Sequence, residues 1–213
     1  NVFQPTREQA LAGFHLKGKW RHDVFRNENP IVLELGCGKG EYTVGLAKAF
    51  PEKNFIGVDI KGARFWFGAK EAITENLHNA AFLRTQIELI DCFFSNNEVD
   101  EIWITFPDPQ IKYRRTKHRL THPDFLERYQ KILKPDGIIH LKTDSEFLHG
   151  YTLGYLQGAG HPIISAHHDI YGAPEYEPGT PLLREIQTYY EGLFSAKGKT
   201  ITYIKFQLNK TMD

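Results

Sequence analysis

The sequence predicts a single α/β domain, a Rossmann-like doubly wound sheet of seven strands, mostly parallel with an antiparallel final strand. Three observations predict it. Short apolar runs alternate with longer segments of helical period, the pattern of parallel strands joined by crossover helices. A glycine-rich turn follows the first of those runs. The chain has 213 residues, 41% of them hydrophobic and 24% charged, enough for one sizeable core and short for two.

Residues 1–29 carry no strong pattern and read as a partly ordered N-terminal extension ahead of a domain at 30–213. Ile31 to Leu35 reads as a buried strand, and Glu41 to Phe50 as a helix stopped by Pro51. Phe55 to Asp59 is the second strand and Gly62 to Leu77 the second helix. Ala81 to Arg84 is a weaker third strand, and Ile102 to Phe106 a fourth. Pro123 to Leu133 reads as a helix, with Lys134-Pro135-Asp136-Gly137 as a turn into the fifth strand, Ile138 to Lys142. A helix follows from Ser145 to Gln157. Two β-rich stretches, Pro162 to Ser165 and Thr200 to Leu208, flank a last helix from about Pro181 to Ala196.

Composition narrows the function classes. Lys plus Arg and Asp plus Glu both number 26, so nucleic-acid binding must rest on local clustering rather than on net charge. Cys37 and Cys92 are too few and too far apart for a disulfide framework or a zinc site, and no metal is expected. Low cysteine content fits a reducing cytoplasm. No apolar run approaches the length of a membrane span.

In an open α/β sheet, ligands bind outside the carboxyl ends of the strands. Glu34-Leu35-Gly36-Cys37-Gly38-Lys39-Gly40 lies there. Its glycines permit a tight turn and close approach of a ligand. A dinucleotide fingerprint would place its third glycine one residue later, where this chain has Glu41 at a helix start. A carboxylate at that point suits the helix dipole and opposes a pyrophosphate. The ligand expected is therefore S-adenosylmethionine, whose sulfonium and ammonium Glu34 can face. Asp59 ends the next strand, where a carboxylate accepts from ribose hydroxyls. Its other reading is a helix cap. Gln86, after the third strand, is placed to read adenine, or is simply an exposed polar residue.

After the fourth strand, Lys112, Arg114, Arg115, Lys117 and Arg119 give five cations in eight residues with no acid among them. That suits a phosphate backbone, with Tyr113 available for stacking. A solvated face is the bland alternative. Asp108 sits between Pro107 and Pro109, whose rings hold the backbone, and therefore the carboxylate, in place. Asp144 closes Lys142-Thr143-Asp144 in the same crevice, as a ligand contact or as a helix cap.

At these residues the chain resembles the bacterial tRNA (guanine-N7-)-methyltransferases, which modify guanine 46 in the variable loop. The resemblance rests on Phe106-Pro107-Asp108-Pro109 with Lys112, on Arg119-Leu120-Thr121, on Lys142-Thr143-Asp144, and on Thr188-Tyr189-Tyr190-Glu191 followed by Phe194 to Gly198. The family usually has Trp and Pro where this chain has Gln110 and Ile111, and Asp or Asn at the position of Gln86. The resemblance implies a class I S-adenosylmethionine-dependent methyltransferase fold, with Glu34, Asp59, Gln86 and Asp108 at the cofactor, beside Gly36, Gly38 and Gly40 of the glycine turn already expected there. It implies Asp108 as the catalytic residue. Lys112, Arg114, Arg115, Asp144, Thr188, Tyr190 and Glu191 are expected at the tRNA, and the protein as a monomer or homodimer. The alternatives are a methyltransferase acting on another RNA or a small molecule, an RNA-binding module with a vestigial cofactor site, and a nicotinamide dehydrogenase, which the glycine spacing opposes.

Overall fold

Each expected strand forms in the computed structural model, which describes residues 1–172 and 183–209. The chain runs β1 (Val2–Phe3), α1 (Arg7–Leu11), β2 (Ile31–Leu35), α2 (Glu41–Ala49), β3 (Asn54–Asp59), α3 (Gly62–Thr74), β4 (Ala80–Arg84), α4 (Ile90–Phe93) and β5 (Val99–Thr105). It continues through α5 (Pro123–Ile132), β6 (Leu133–Thr143), α6 (Glu146–Gly158), β7 (Ile163–His167), α7 (Tyr189–Ser195) and β8 (Thr202–Gln207). All five residues of β2 and all six of β3 are buried, as expected of strands covered by helices on both faces.

Among the described residues the sheet has eight strands, not seven, in the order β1-β4-β3-β2-β5-β6-β8-β7. The additional strand is β1, whose Val2 and Phe3 pair parallel with Phe82 and Leu83. Two residues carry no readable period, which is why the sequence pattern omits them. Only β8 runs against the rest, pairing antiparallel with both β6 and β7. The order reverses between β2 and β5, the switch point where such sheets open a crevice.

Residues 1–29 pack into the main core through Phe14, Leu16, Trp20 and Phe25. A π-helical turn, Trp20–Phe25, seats the Trp20 ring parallel to Phe94 at 5.3 Å, and its Nε1–H donates to the Phe93 carbonyl at 2.9 Å. Arg21 pairs with Asp100 at 2.6 Å just ahead of the centre of β5.

Two further expectations are corrected. Lys134 to Gly137 lie within β6 rather than in a free turn: Val99 faces Leu133 and Glu101 faces Ile138, so the residues between bulge from the ladder. The last helix starts at Tyr189, not near Pro181, and Thr188 caps it by accepting from the Glu191 backbone N–H at 3.1 Å. Pro181 lies outside the described residues. No helix among the described residues is long and apolar enough to cross a membrane.

Candidate functional site

The carboxyl ends of β2, β3, β4 and β5 enclose a cavity of about 400 Å³, within the roughly 300–1,000 Å³ of small-molecule sites. Gly36, Asp59, Gln86 and Asp108 line it together with Ile60, Phe106 and Leu120. Four sequence-predicted residues from four separate loops thus converge on one space.

Asp59 is nearly buried and stapled at both oxygens. Its Oδ2 accepts from the Gly38 backbone N–H at 3.0 Å and its Oδ1 from that of Lys61 at 2.7 Å. Each oxygen keeps a second lone pair for a hydroxyl. Asp59 does not cap α3, whose cap position is Lys61. Gly36 has φ +79°, and a Cβ there would reach Leu120 at 3.9 Å within the cavity wall. Gly40 serves differently: a Cβ would strike the Phe82 ring at 2.7 Å and Gly68 at 3.3 Å, so this glycine lets α2 and α3 approach rather than admitting a ligand. Gly38 and Gly40 are not part of the lining.

Glu34 departs from its expected place. It is buried beneath the glycine loop instead of lining the cavity. Its Oε2 accepts from the Thr43 N–H at 2.8 Å and meets the Thr43 hydroxyl, while Oε1 accepts from the Thr105 hydroxyl at 2.7 Å. Burial pushes this carboxyl up to about 7 against the downward pull of those hydrogen bonds. Glu34 therefore ties the start of α2 to the end of β5, the two halves of the crevice. Neither threonine was singled out in the sequence, because a lone hydroxyl in an apolar run gives no signal.

Asp108 stands at the cavity rim between two non-glycine residues in the left-handed region, Phe106 and Gln110, both at φ +47°. Such backbone is costly and clusters at functional sites. The Asp108 Oδ1 accepts from the Gln110 N–H at 2.9 Å, which fixes the carboxylate beyond what the prolines impose. Gln86 is exposed, and its Oε1 accepts from the Arg7 guanidinium at 3.1 Å. Segment 1–29 thus reaches the cavity edge through α1.

The basic loop forms a 3-10 helix, Tyr113–His118, with Lys112, Arg114, Arg115 and Lys117 exposed. Arg119 is not a fifth free cation. It is buried, donates to the Gln110 carbonyl at 3.1 and 3.3 Å, and lies over the Phe147 and Tyr151 rings at 4.8 and 4.4 Å. It buttresses the loop that carries Asp108.

The C-terminal candidates divide. Asp144 pairs with Lys199 at 2.6 Å, and Ser145, not Asp144, caps α6. Tyr190 is exposed. Glu191 is fully buried against Lys142, with Nζ to Oε2 at 2.8 Å, and its Oε1 accepts from the Tyr171 hydroxyl at 2.7 Å. Thr188 is spent on its cap. Glu191 and Thr188 therefore shape α7 in this structure and do not present polar groups to the crevice. Among the described residues no group of His, Cys, Asp and Glu could hold a metal.

The cavity fits S-adenosylmethionine. Asp59, stapled at both oxygens, keeps lone pairs that a ribose could use, Ile60 and Phe106 are apolar walls of the kind an adenine needs, and Gly36 leaves room for close approach at the strand end. Comparison with known proteins agrees. A family model described as putative methyltransferase matches residues 28–203. A solved antibiotic-related methyltransferase superposes with TM-score 0.62 at 16% identity, covering 88% of this chain and 92% of its own. The 16S rRNA methyltransferase KamB gives the same score at 13% identity, over 85% and 89%. These two show the fold. The tRNA (guanine-N(7)-)-methyltransferase of Christiangramia forsetii is 65% identical over 98% of this chain and 92% of its own. That of Porphyromonas gingivalis is 54% identical over 99% and 85%. With identity at that level over nearly the whole chain, the chain belongs to the tRNA (guanine-N(7)-)-methyltransferase family.

Proposed function

We propose that the protein transfers a methyl group from S-adenosylmethionine to N7 of guanine 46, in the variable loop of tRNA, in the cytoplasm. The observation that carries this reading is the position of Asp108. One carboxylate, held by left-handed backbone on both sides, stands at the rim of the Asp59 cavity and at the root of a loop with four exposed cations. The relatives' shared name supports the reaction, and the resemblance of the four motifs supports the position.

When bound, S-adenosylmethionine supplies an electrophilic methyl group and leaves as S-adenosylhomocysteine. Asp59 would hold the ribose hydroxyls, and Gln86 would meet the adenine. Guanine N7 carries a free lone pair at neutral pH, so no residue has to remove a proton to create the nucleophile. The chain's task is to place the base, which can account for ~7–11 kcal/mol of the barrier at best. Positive charge develops on the purine as N7 is alkylated. Asp108 faces N1 and the 2-amino group and stabilises that charge without having to reorganise. Lys112, Arg114 and Arg115 hold phosphates on the solvent side. Extracting the guanine from its stack costs a few kcal/mol, which those contacts offset.

The test is methyl transfer from labelled cofactor to unmodified tRNA, with nucleoside analysis of the product. 7-Methylguanosine is expected. Label on another base nitrogen, or on protein alone, contradicts the reading.

A further inference from the structure

Six aromatic rings, bridged at one point by Lys39, run from the Asp108 loop to α3. Phe106, two residues before Asp108, lies 6.2 Å from Phe194, which lies 6.4 Å from Tyr190. Tyr190 meets Tyr189 at 5.7 Å. Lys39, in the glycine loop, spans the next gap, its Nζ 4.0 Å from the Tyr189 centroid and 6.0 Å from that of Phe67. Phe67 and Trp66 then stand edge to face at 5.4 Å. Lys199 lies over Phe194 at 4.7 Å and Lys70 over Trp66 at 5.3 Å.

The outer rings are not core. Trp66, Phe67, Tyr189 and Tyr190 are 55, 57, 53 and 43% exposed. Scattered exposed apolar residues need no explanation, but a contiguous line does. Rings alternating with cations are the composition of surfaces that stack unpaired bases while tracking a phosphate backbone. A second copy of the chain is a poorer occupant. Lys39 and Lys70 have no ion pair among the described residues, so a second copy would have to set carboxylates opposite both, whereas a phosphate backbone brings the anions itself.

We propose that this aromatic and lysine ribbon is a second RNA-contacting face, which stacks unpaired tRNA bases flanking the target guanine and carries the strand from Asp108 across the glycine loop to Trp66. The inference rests on the tRNA reading above. Stacking on the ribbon replaces the stacking that neighbouring bases lose when the guanine is drawn out.

Trp66 makes the proposal directly readable. Of the three tryptophans, Trp20 and Trp103 are fully buried, so Trp66 alone is open to an aqueous quencher. Unmodified tRNA is expected to change Trp66 emission and shield it from acrylamide, and Trp66→Phe should abolish the signal. Trp66→Ala combined with Phe67→Ala should weaken tRNA binding about tenfold or more with an unchanged salt slope. Trp66→Phe should restore most of that affinity. Lys70→Ala should lower the salt slope by about one. Cofactor affinity by calorimetry should stay the same in all three. If the unaltered protein methylates tRNA but the double variant binds it as tightly and Trp66 stays quenchable, the ribbon proposal alone is overturned. If shielding of Trp66 follows protein concentration without tRNA, the occupant is a second copy and the proposal is wrong. If the unaltered protein neither binds nor methylates tRNA, the functional reading fails and takes the ribbon with it.

Discussion

Lys142 and Glu191 form an ion pair at 2.8 Å with neither side chain exposed. Lys142 also donates to the Leu183 and Ile186 carbonyls at 2.5 and 3.3 Å, so one ammonium at the end of β6 gathers the segment leading into α7. Burial lowers the Lys142 ammonium while Glu191 raises it. Removing one partner leaves the other charge buried and unpaired. Glu191→Gln should cost ~3–5 kcal/mol in urea unfolding, whereas Lys142→Met with Glu191→Leu should recover most of that loss. A single-variant loss below ~1 kcal/mol would contradict the buried pair.

The Glu34 carboxyl gives stability a pH dependence of known sign. Its folded value is about 7 against an ordinary 4.5, so the folded protein holds this proton more tightly than the unfolded chain. Stability from this group is therefore full below about 4.5, falls as pH rises to about 7, and is flat above. The loss across that window is roughly 3 kcal/mol. Unfolding of the unaltered protein and Glu34→Gln across this pH range checks it: their difference should shrink on the acid side with the stated slope.

Much of this architecture is legible in the sequence, and the failures have physical causes. The strand ends bearing Asp59 and Gly36 follow from apolar run lengths and the glycine turn. β2, however, is buried on both faces, so no alternation says which way Glu34 points. Arg119 reads as one more cation of a basic run. The Gln110 carbonyl and the rings of Phe147 and Tyr151 on α6, some thirty residues later, draw it inside. Nothing in the helical pattern of Gly62 to Leu77 sets Trp66 and Phe67 apart from its core residues. Their exposure depends on which face of α3 the sheet covers, and that is Phe65, Gly68, Ala69 and Ala72.

The two kinds of cation after β5 should separate experimentally. Lys112→Ala, at an exposed site, should leave stability within about 0.5 kcal/mol and flatten the salt dependence of tRNA binding by about one. Arg119→Lys should cost ~2 kcal/mol of stability, because an ammonium reproduces neither the paired donation to Gln110 nor the stacking. Equal salt slopes for both variants would contradict the division.

Asp108→Asn keeps the shape of the loop and its bond to the Gln110 N–H but removes the charge. Turnover should fall roughly 100-fold or more, in the range seen when one preorganised transition-state contact is lost. Cofactor affinity by calorimetry should stay within a few-fold. Unchanged turnover would remove Asp108 from the reaction.

The central claim is that this crevice methylates guanine N7 at one place in tRNA. The most direct measurement is position-level mapping of the label on unmodified tRNA, run beside a transcript with guanine 46 replaced by adenine. Label confined to N7 of guanine 46, and lost in the replaced transcript, is the predicted result. Label at another position, or retained when guanine 46 is replaced, would contradict it.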